Sequence, residues 1–341
     1  LTLNGSAIDP DWEQTHTFEW DLNYNGSKIN ADVAGPNPSV SFSQAVQQRA
    51  IAVRVTDDGT APLSHVAVTT LTVSSQVEAA YIFHRDSQFA AGGNVPAALD
   101  TGKALALETA TPQTLTFDNL INSSRGINGL VFDINKLSVA SLSASDFEFR
   151  MSPQGNFNEA AHPPHLWQLA PAVSAISVLP GEVDRVILEW PNGAIANRWL
   201  RIAVLANAST GLSETQVYYV GHLLGETTGL THGTYSVSFA DVIPIRSGIG
   251  QPSEVGDIRD IDKSSAISFA DIAAMRSNIG ALLTNITVAN STGSSGGGSG
   301  GSTNIPGSNS DEGQGIVESK FRDSSDLGWG MWSASPVATS G

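Results

Sequence analysis

The chain has 341 residues, of which 40% are hydrophobic, with 33 Gly, 16 Pro and no Cys. A net charge of −16 disfavours nucleic-acid binding, because a phosphate-binding face needs a basic patch. The missing cysteines exclude disulfide frameworks, thiol catalysis and thiolate metal sites, and no apolar run is long enough to span a bilayer.

Residues 1–75 alternate apolar and polar side chains in VSFSQ, AIAVRVTD and HVAVTTLTV, between turns of Gly, Pro, Asn and Asp. Short strands at that spacing predict a β-sandwich. Asp9, Asp11 and Asp57 are either turn formers or ligands for a cation at the domain edge, and turn formation is the commoner use of aspartates so placed. The segments GSAIDPDWEQTHTFEWDLN (Gly5 to Asn23) and VRVTDDGTAPLSHVAVTTLTV (Val53 to Val73) resemble a PKD domain, an immunoglobulin-like sandwich of secreted proteins. Trp20 matches that family's core tryptophan. Val53, Val55 and the Asp57-Asp58-Gly59 turn match its V-x-V-T-D-x-G strand end. The resemblance implies a sandwich that lacks its first strand and exposes a sheet edge.

Residues 76–225 read as a second sandwich, jelly-roll-like, with strands at AYIFHRDS, QTLTFDNLI, NGLVFDI, FEFRM, DRVILEW and RWLRIAVLAN and no long amphipathic helix. SRGINGLVFDI, ISVLPGEVDRVILEWPNGAIANRWLRIAVLANASTGL and VYYVGHLLGET resemble a domain of large secreted proteins of planctomycete-type bacteria, where it sits ahead of a dockerin-like pair. That resemblance implies an extracellular, non-catalytic role. His162-Pro-Pro-His165 is read as an exposed loop with Trp167 packed nearby rather than a metal pair. Single carboxylates such as Asp133, Asp146 and Glu148 cannot be paired from sequence, so a glycosidase acid/base pair is unsupported, and outside the Gly/Ser tract there is no G-x-S-x-G elbow. The chain is therefore expected not to be an enzyme. Aromatic side chains on a sandwich are usually core, and stacking on a polysaccharide is the less favoured alternative.

Residues 226–283 contain the same phrase twice. VSFADVIPIRSGIG (Val237 to Gly250) and ISFADIAAMRSNIG (Ile267 to Gly280) lie thirty residues apart, and such self-similarity dictates architecture. Ahead of the second copy, Asp260, Asp262, Ser264, Ser268 and Asp271 occupy the first, third, fifth, ninth and twelfth positions of a loop. The Ala266 carbonyl takes the seventh. This is the ligand rhythm of an EF-hand calcium loop, and it predicts one Ca2+ at Asp260, Asp262, Ser264, Ala266 and Asp271, with Ser268 acting through water. Two features weaken it: Ser265 stands where glycine makes the sharp turn, and Asp271 is shorter than the usual closing Glu. Counting back the same distance from Asp241 puts Leu230, His232 and Thr234 at ligand positions, so the first loop is expected to be empty. The alternative for the whole repeat is a plain helical pair with solvated aspartates. Helices are expected at 239–248 and 269–279, with Phe239, Phe269, Ile243, Ile245, Ile272 and Met275 forming one small shared core. The duplicated loop-helix resembles a type I dockerin module. The resemblance implies calcium-stabilised folding and docking to a cohesin, although Phe239-Ala240 and Phe269-Ala270 stand near where a Ser-Thr recognition pair is common.

Residues 284–310 have the composition of a flexible Gly/Ser-rich linker, and 311–341 carry Phe321, Trp329, Met331 and Trp332 in an otherwise polar tail expected to dock elsewhere. SPVATSG (Ser335 to Gly341) resembles the opening of a PKD first strand, which implies donation of a strand to a neighbouring copy; the alternative is a loose tail on a fragment of a longer chain. The expected class is mainly β: tandem sandwiches, a small α-helical dockerin-like module and a low-complexity tail. The expected role is a non-enzymatic extracellular or cell-surface structural protein, filament-forming or adhesive. Its partners would be copies of itself or other matrix and surface proteins, with no nucleic acid and no membrane insertion. The alternative is the carbohydrate- or cohesin-binding part of a secreted polysaccharide-degrading enzyme.

Overall fold

A computed structural model describes residues 1–9 and 13–289. The protein is mainly β and forms two compact units, Leu1–Ser74 and a second that begins at Ser75. Asp11, the linker from 290 onward and the C-terminal tail lie outside the described residues.

In the first unit, β1 (His16–Asp21), β2 (Val33–Ala34), β3 (Val46–Asp57) and β4 (Ser64–Val73) form an antiparallel sheet in the order β2-β1-β3-β4. One face is apolar because alternate residues of each strand point to it. Phe18, Trp20, Ile51, Val53, Val55 and Leu71 are buried there with Leu3. A second layer covers them: Leu1–Gly5 runs beside residues 36–40, with Leu3 N–H donating to Pro38 O at 3.0 Å and Gly5 N–H to Pro36 O at 2.7 Å. Gly5 lies against Trp20 and Phe18, and a Cβ there would come within 2.8 Å of the Phe18 ring. The Trp20 indole N–H donates to Gly35 O at 2.9 Å, so its one polar atom is satisfied in the core. Asp57 forms a turn: its Oδ1 accepts from Gly59 N–H at 3.1 Å and Leu63 N–H at 3.0 Å.

The second unit holds two larger sheets. One is ordered β13-β14-β10-β5-β6, from β5 (Gln76–Phe83), β6 (Leu99–Asp100), β10 (Gly129–Asn135), β13 (Ala175–Leu179) and β14 (Asp184–Glu189). The other is ordered β12-β11-β15-β16-β7, from β7 (Ala106–Leu107), β11 (Phe147–Met151), β12 (Gln168–Leu169), β15 (Arg198–Val204) and β16 (Gln216–His222), with β9 (Leu120–Ile121) parallel to β16. Their inner faces share one core: Ile82, Phe132 and Leu188 from the first sheet meet Phe149, Leu200, Ile202 and Tyr218 from the second.

The second sheet is buried on its other face too. Along β15, Leu200, Ile202 and Val204 point into the sandwich, while Trp199 and Ala203 point outward into a separate core. That outer core is completed by Tyr235, Val237, Ile245, Ile261, Ile267, Met275 and Leu283, all from the repeat. The expected boundary at 225/226 is therefore not a break in the fold. The loop-helix repeat is the third layer of the unit, laid on the outer face of the second sheet. After the repeat, β18 (Leu282–Thr284) pairs with β17 (Thr234–Ser236), and β19 (Thr287–Val288) returns to β8 (Gln113–Thr114). Strands that carry large apolar residues on both faces signal this cover, and RWLRIAVL, with Trp199 and Ala203 beside Arg201 on its outer face, is such a strand. No helix among the described residues is long and apolar enough to cross a membrane.

Candidate metal centre in the repeated loop

The two copies of the repeat fold alike because they start alike. Ser238 and Ser268 each cap a helix: their hydroxyls accept from Ala240 N–H at 3.1 Å and Ala270 N–H at 3.0 Å. The third residue on, Asp241 or Asp271, reaches back to the serine N–H at 2.8 Å or 2.7 Å. Each such reciprocal box satisfies helix-end donors and contributes about 1 kcal/mol. The first copy runs through a 3-10 turn (Phe239–Asp241) into α1 (Val242–Gly248), which puts Pro244 in the first turn where its missing N–H costs little. The second copy is α2 (Phe269–Arg276), ending three residues short of the expected 279.

Each copy also pins the other. Ile267 exchanges hydrogen bonds with the end of the first copy, Gly250 N–H donating to Ile267 O at 2.8 Å and Ile267 N–H to Gln251 O at 2.9 Å. Val237 does the same with the end of the second, Gly280 N–H to Val237 O at 2.9 Å and Val237 N–H to Ala281 O at 3.0 Å. The partners differ by thirty residues throughout, so the pair has an approximate two-fold relation.

The helices present a different face from the one expected. Ile245 and Met275 are fully buried and Ile272 is half-buried, but Phe239 is 69% exposed, Phe269 74% and Ile243 69%. The phenylalanines occupy the first turn, one position after the cap, and turn away from the sheet. The core they were expected to share is supplied by Trp199, Tyr219 and Tyr235.

In the second loop Asp260, Asp262 and Asp271 come together, each offering a carboxylate oxygen within 4.8 Å of the others. Asp260 and Asp271 are buried and Asp262 is half-buried. Asp271 Oδ1 accepts from Ile261 N–H at 2.7 Å and Asp262 N–H at 3.1 Å, so it closes the loop onto its own start. Asp260 accepts from Ser264 N–H at 3.0 Å and Ser265 N–H at 2.9 Å, and also from the Ser253 hydroxyl. Ser264 Oγ donates to the Ala266 carbonyl at 3.2 Å, which places these two oxygens side by side. Ser268 Oγ donates to Asp271 Oδ2 at 3.2 Å and belongs to the helix cap. Ser265 adopts a left-handed φ of 70°, the conformation for which glycine is the usual choice. Burial, with Asp271 adding to it, raises the Asp260 carboxyl above the ordinary range. Oxygen-only donors converging on one point suit a hard divalent cation better than a transition metal.

The loop is anchored to the sandwich by its backbone. Asn122 Nδ2 donates to Ile258 O at 2.7 Å, Ser124 N–H to Ile261 O at 2.7 Å, Arg125 to Asp262 O at 3.1 Å and Gln88 N–H to Lys263 O at 3.0 Å. Lys263 is buried, its ammonium donating to Val255 O at 2.8 Å and Asp257 O at 2.9 Å. Burial lowers its pKa, against the pull of Asp100 and Asp260.

In the first loop the structure corrects the register. Asp241 Oδ1 accepts from Thr227 N–H at 2.7 Å and Thr228 N–H at 3.2 Å, matching what Asp271 does with Ile261 and Asp262. The residue in the place of Asp260 is thus Glu226, not Leu230. Glu226 lies fifteen residues before Asp241, against eleven between Asp260 and Asp271. The surplus forms a tight turn, with Thr231 bridged to Thr234 and positive φ at His232 and Gly233. Glu226 and Asp241 are both fully buried, and burial followed by the Asp241 charge raises the Glu226 carboxyl. Fixed counting missed Glu226. The signal was the run of small turn-forming residues Thr227-Thr228-Gly229 directly after it.

Elsewhere, Asp9 meets His16 at 3.1 Å. His162 and His165 stand on the loop before Trp167, whose indole donates to His162 O at 2.8 Å. Trp167 is buried, and the two histidines are not part of any acidic cluster among the described residues. Comparisons with protein-family models, with curated proteins and with solved structures returned no match.

Proposed function

We propose that the chain is a non-enzymatic extracellular structural or adhesive protein whose C-terminal repeat is a divergent dockerin-like module stabilised by one Ca2+. The observation that carries the reading is the convergence of Asp260, Asp262 and Asp271 in a loop whose backbone is bonded to the sandwich beside it. Asp260, Asp262, Ser264, the Ala266 carbonyl and Asp271 hold the ion, and Ser268 contributes through water. A cage of this kind hardly exists in the unfolded chain, so binding energy becomes folding energy. The metal's role in this reading is to fix structure. The test is a melting scan of the full chain with calcium and with chelator, for wild type and Asp260→Asn. Calcium stabilises the wild type and leaves the variant unchanged; an equal response of both refutes the site.

The second reading is the non-catalytic part of a secreted polysaccharide-degrading enzyme, binding a cohesin-like domain or a sugar chain. It is favoured by the exposure of three large apolar side chains, Phe239, Ile243 and Phe269, on the paired helices. Retention of the chain on insoluble polysaccharide, or capture by a cohesin, separates it from the first. Strand donation by the tail falls on residues outside those described and stays part of the assembly reading.

A further inference from the structure

Sheet edges in this protein are mostly blunted. In the first unit β2 ends one side of the sheet with only two residues, next to Gly35 and Pro36. In the second unit β6, β7 and β12 are two residues long, and β13 is five residues long and stops at Pro180. β4 is the exception. It runs for ten residues, Ser64–Val73, and among the described residues it pairs only with β3. Natural edges are commonly guarded by lysine, proline or an inward charge. From Gly59 to Val77 there is no Asp, Glu, Lys or Arg, and within β4 no proline. On a chain of net charge −16 an uncharged edge of this length lets two copies meet without like charges on the strand itself.

The register identifies what is on offer. Asp57 N–H donates to Leu63 O at 3.1 Å, so Leu63 is a hydrogen-bonded position facing β3. Bonding positions alternate along an antiparallel pair, so Ser64, Val66, Val68 and Thr70 turn their N–H and C=O groups to the open side. The same four side chains stand on the exposed face of the sheet, with Val68 51% accessible.

We propose that β4 is a self-association site, and that its occupant is β4 of a second copy, paired antiparallel about Val68. In that register Val68 faces its own mate, Val66 faces Thr70 and Ser64 faces Thr72. On the exposed face each of these cross-strand pairs is β-branched or hydroxyl-bearing and no charges oppose, which suits a sheet surface. The central pairs form about six main-chain hydrogen bonds and merge two four-stranded sheets into one. The contact is isologous and closes on itself as a dimer. This rests on the reading of the chain as an assembling subunit and is independent of the metal loop.

The test uses the full chain, whose lack of cysteine makes an introduced thiol unique. In the proposed register the two Val68 Cα atoms lie about 5.5 Å apart, within the span of a disulfide. The two Val66 Cα atoms lie about 14 Å apart, outside it. Val68→Cys is expected to form a covalent dimer on mild oxidation, with at least tenfold less from Val66→Cys, in calcium and in chelator alike. Val68→Lys is expected to weaken sedimentation-detected dimerisation at least tenfold with an unchanged melting temperature. Equal cross-linking of the two cysteine variants, or a monomer at every concentration, overturns the proposal. Loss of association on deleting 311–341, without selective cross-linking at Val68, also overturns it. In that case assembly runs through the tail, and the assembly reading itself survives.

Discussion

Replacing Met275 and Phe269 by alanine separates the three-layer unit from a free-standing helical pair. In a free-standing pair the two phenylalanines are the core, and Phe269→Ala is the severe change. In the structure Met275 is 0% exposed among Trp199, Tyr219 and Ile267, and Phe269 is 74% exposed. Truncating a fully buried methionine loses its transfer energy and leaves a cavity, about 3 kcal/mol in all. A side chain as open as Phe269 contributes within about 0.5 kcal/mol. For a unit of this size each kcal/mol moves the melting temperature by about 2–4 °C. Calorimetry of the full chain therefore shows Met275→Ala melting roughly 6–12 °C lower and Phe269→Ala within a degree or two of wild type. If Phe269→Ala is the more damaging, the repeat does not lie on the sheet as described.

Three further outcomes follow from the loop and the buried ionisable groups. Because Asn122, Ser124 and Arg125 bond the loop backbone at Ile258, Ile261 and Asp262, chelation weakens the whole second unit; amide exchange quickens in β15 and β16 as well as in the repeat, and protection lost from the repeat alone contradicts this. Ser265→Gly relieves a left-handed φ of 70° and raises stability by about 1 kcal/mol, together with calcium affinity; a drop in either contradicts the strain argument. The pH dependence has two signs. Asp260 and Glu226 are raised by burial, so the metal-free chain loses stability as pH rises from the ordinary carboxylate range through their raised values, whereas calcium requires the ionised form of Asp260. The calcium-induced gain in melting temperature therefore shrinks as pH falls from 7 towards 4.5. Buried His222 accepts from Asn197 N–H on Nδ1 and donates from Nε2 to Ser123 O, and burial lowers it from 6.5 to about 4. With or without metal it removes up to about 3 kcal/mol between pH 6.5 and 4, a loss that acid-unfolding curves measure.

Much of the architecture is legible in the sequence. Alternation in AIAVRVTD and the position of Trp20 locate the first sheet and its core. The duplicated S-F-A-D phrase locates both helix caps and the carboxylates that close both loops. Two things were hidden. RWLRIAVL carries Trp199 and Ala203 on its second face, which signals a buried sheet without saying what covers that side, so from sequence the repeat reads as a separate module with a core of its own. Phe239 and Phe269 then filled that core by default, since an apolar residue at a helix start is ordinarily buried. Glu226 was hidden because a fixed loop length was imposed on a loop that carries four more residues. Backbone hydrogen bonds to Asp241, not spacing, identify its counterpart.

The central claim is that the second loop binds calcium and builds that binding into the fold. Isothermal titration of the metal-stripped full chain with Ca2+, run beside Asp271→Asn and Glu226→Gln, tests it most directly. The account predicts a saturable calcium site that is lost in Asp271→Asn, kept in Glu226→Gln, and not reproduced by Mg2+ at the same concentration. No calcium binding in the wild type, or undiminished binding in Asp271→Asn, would contradict it.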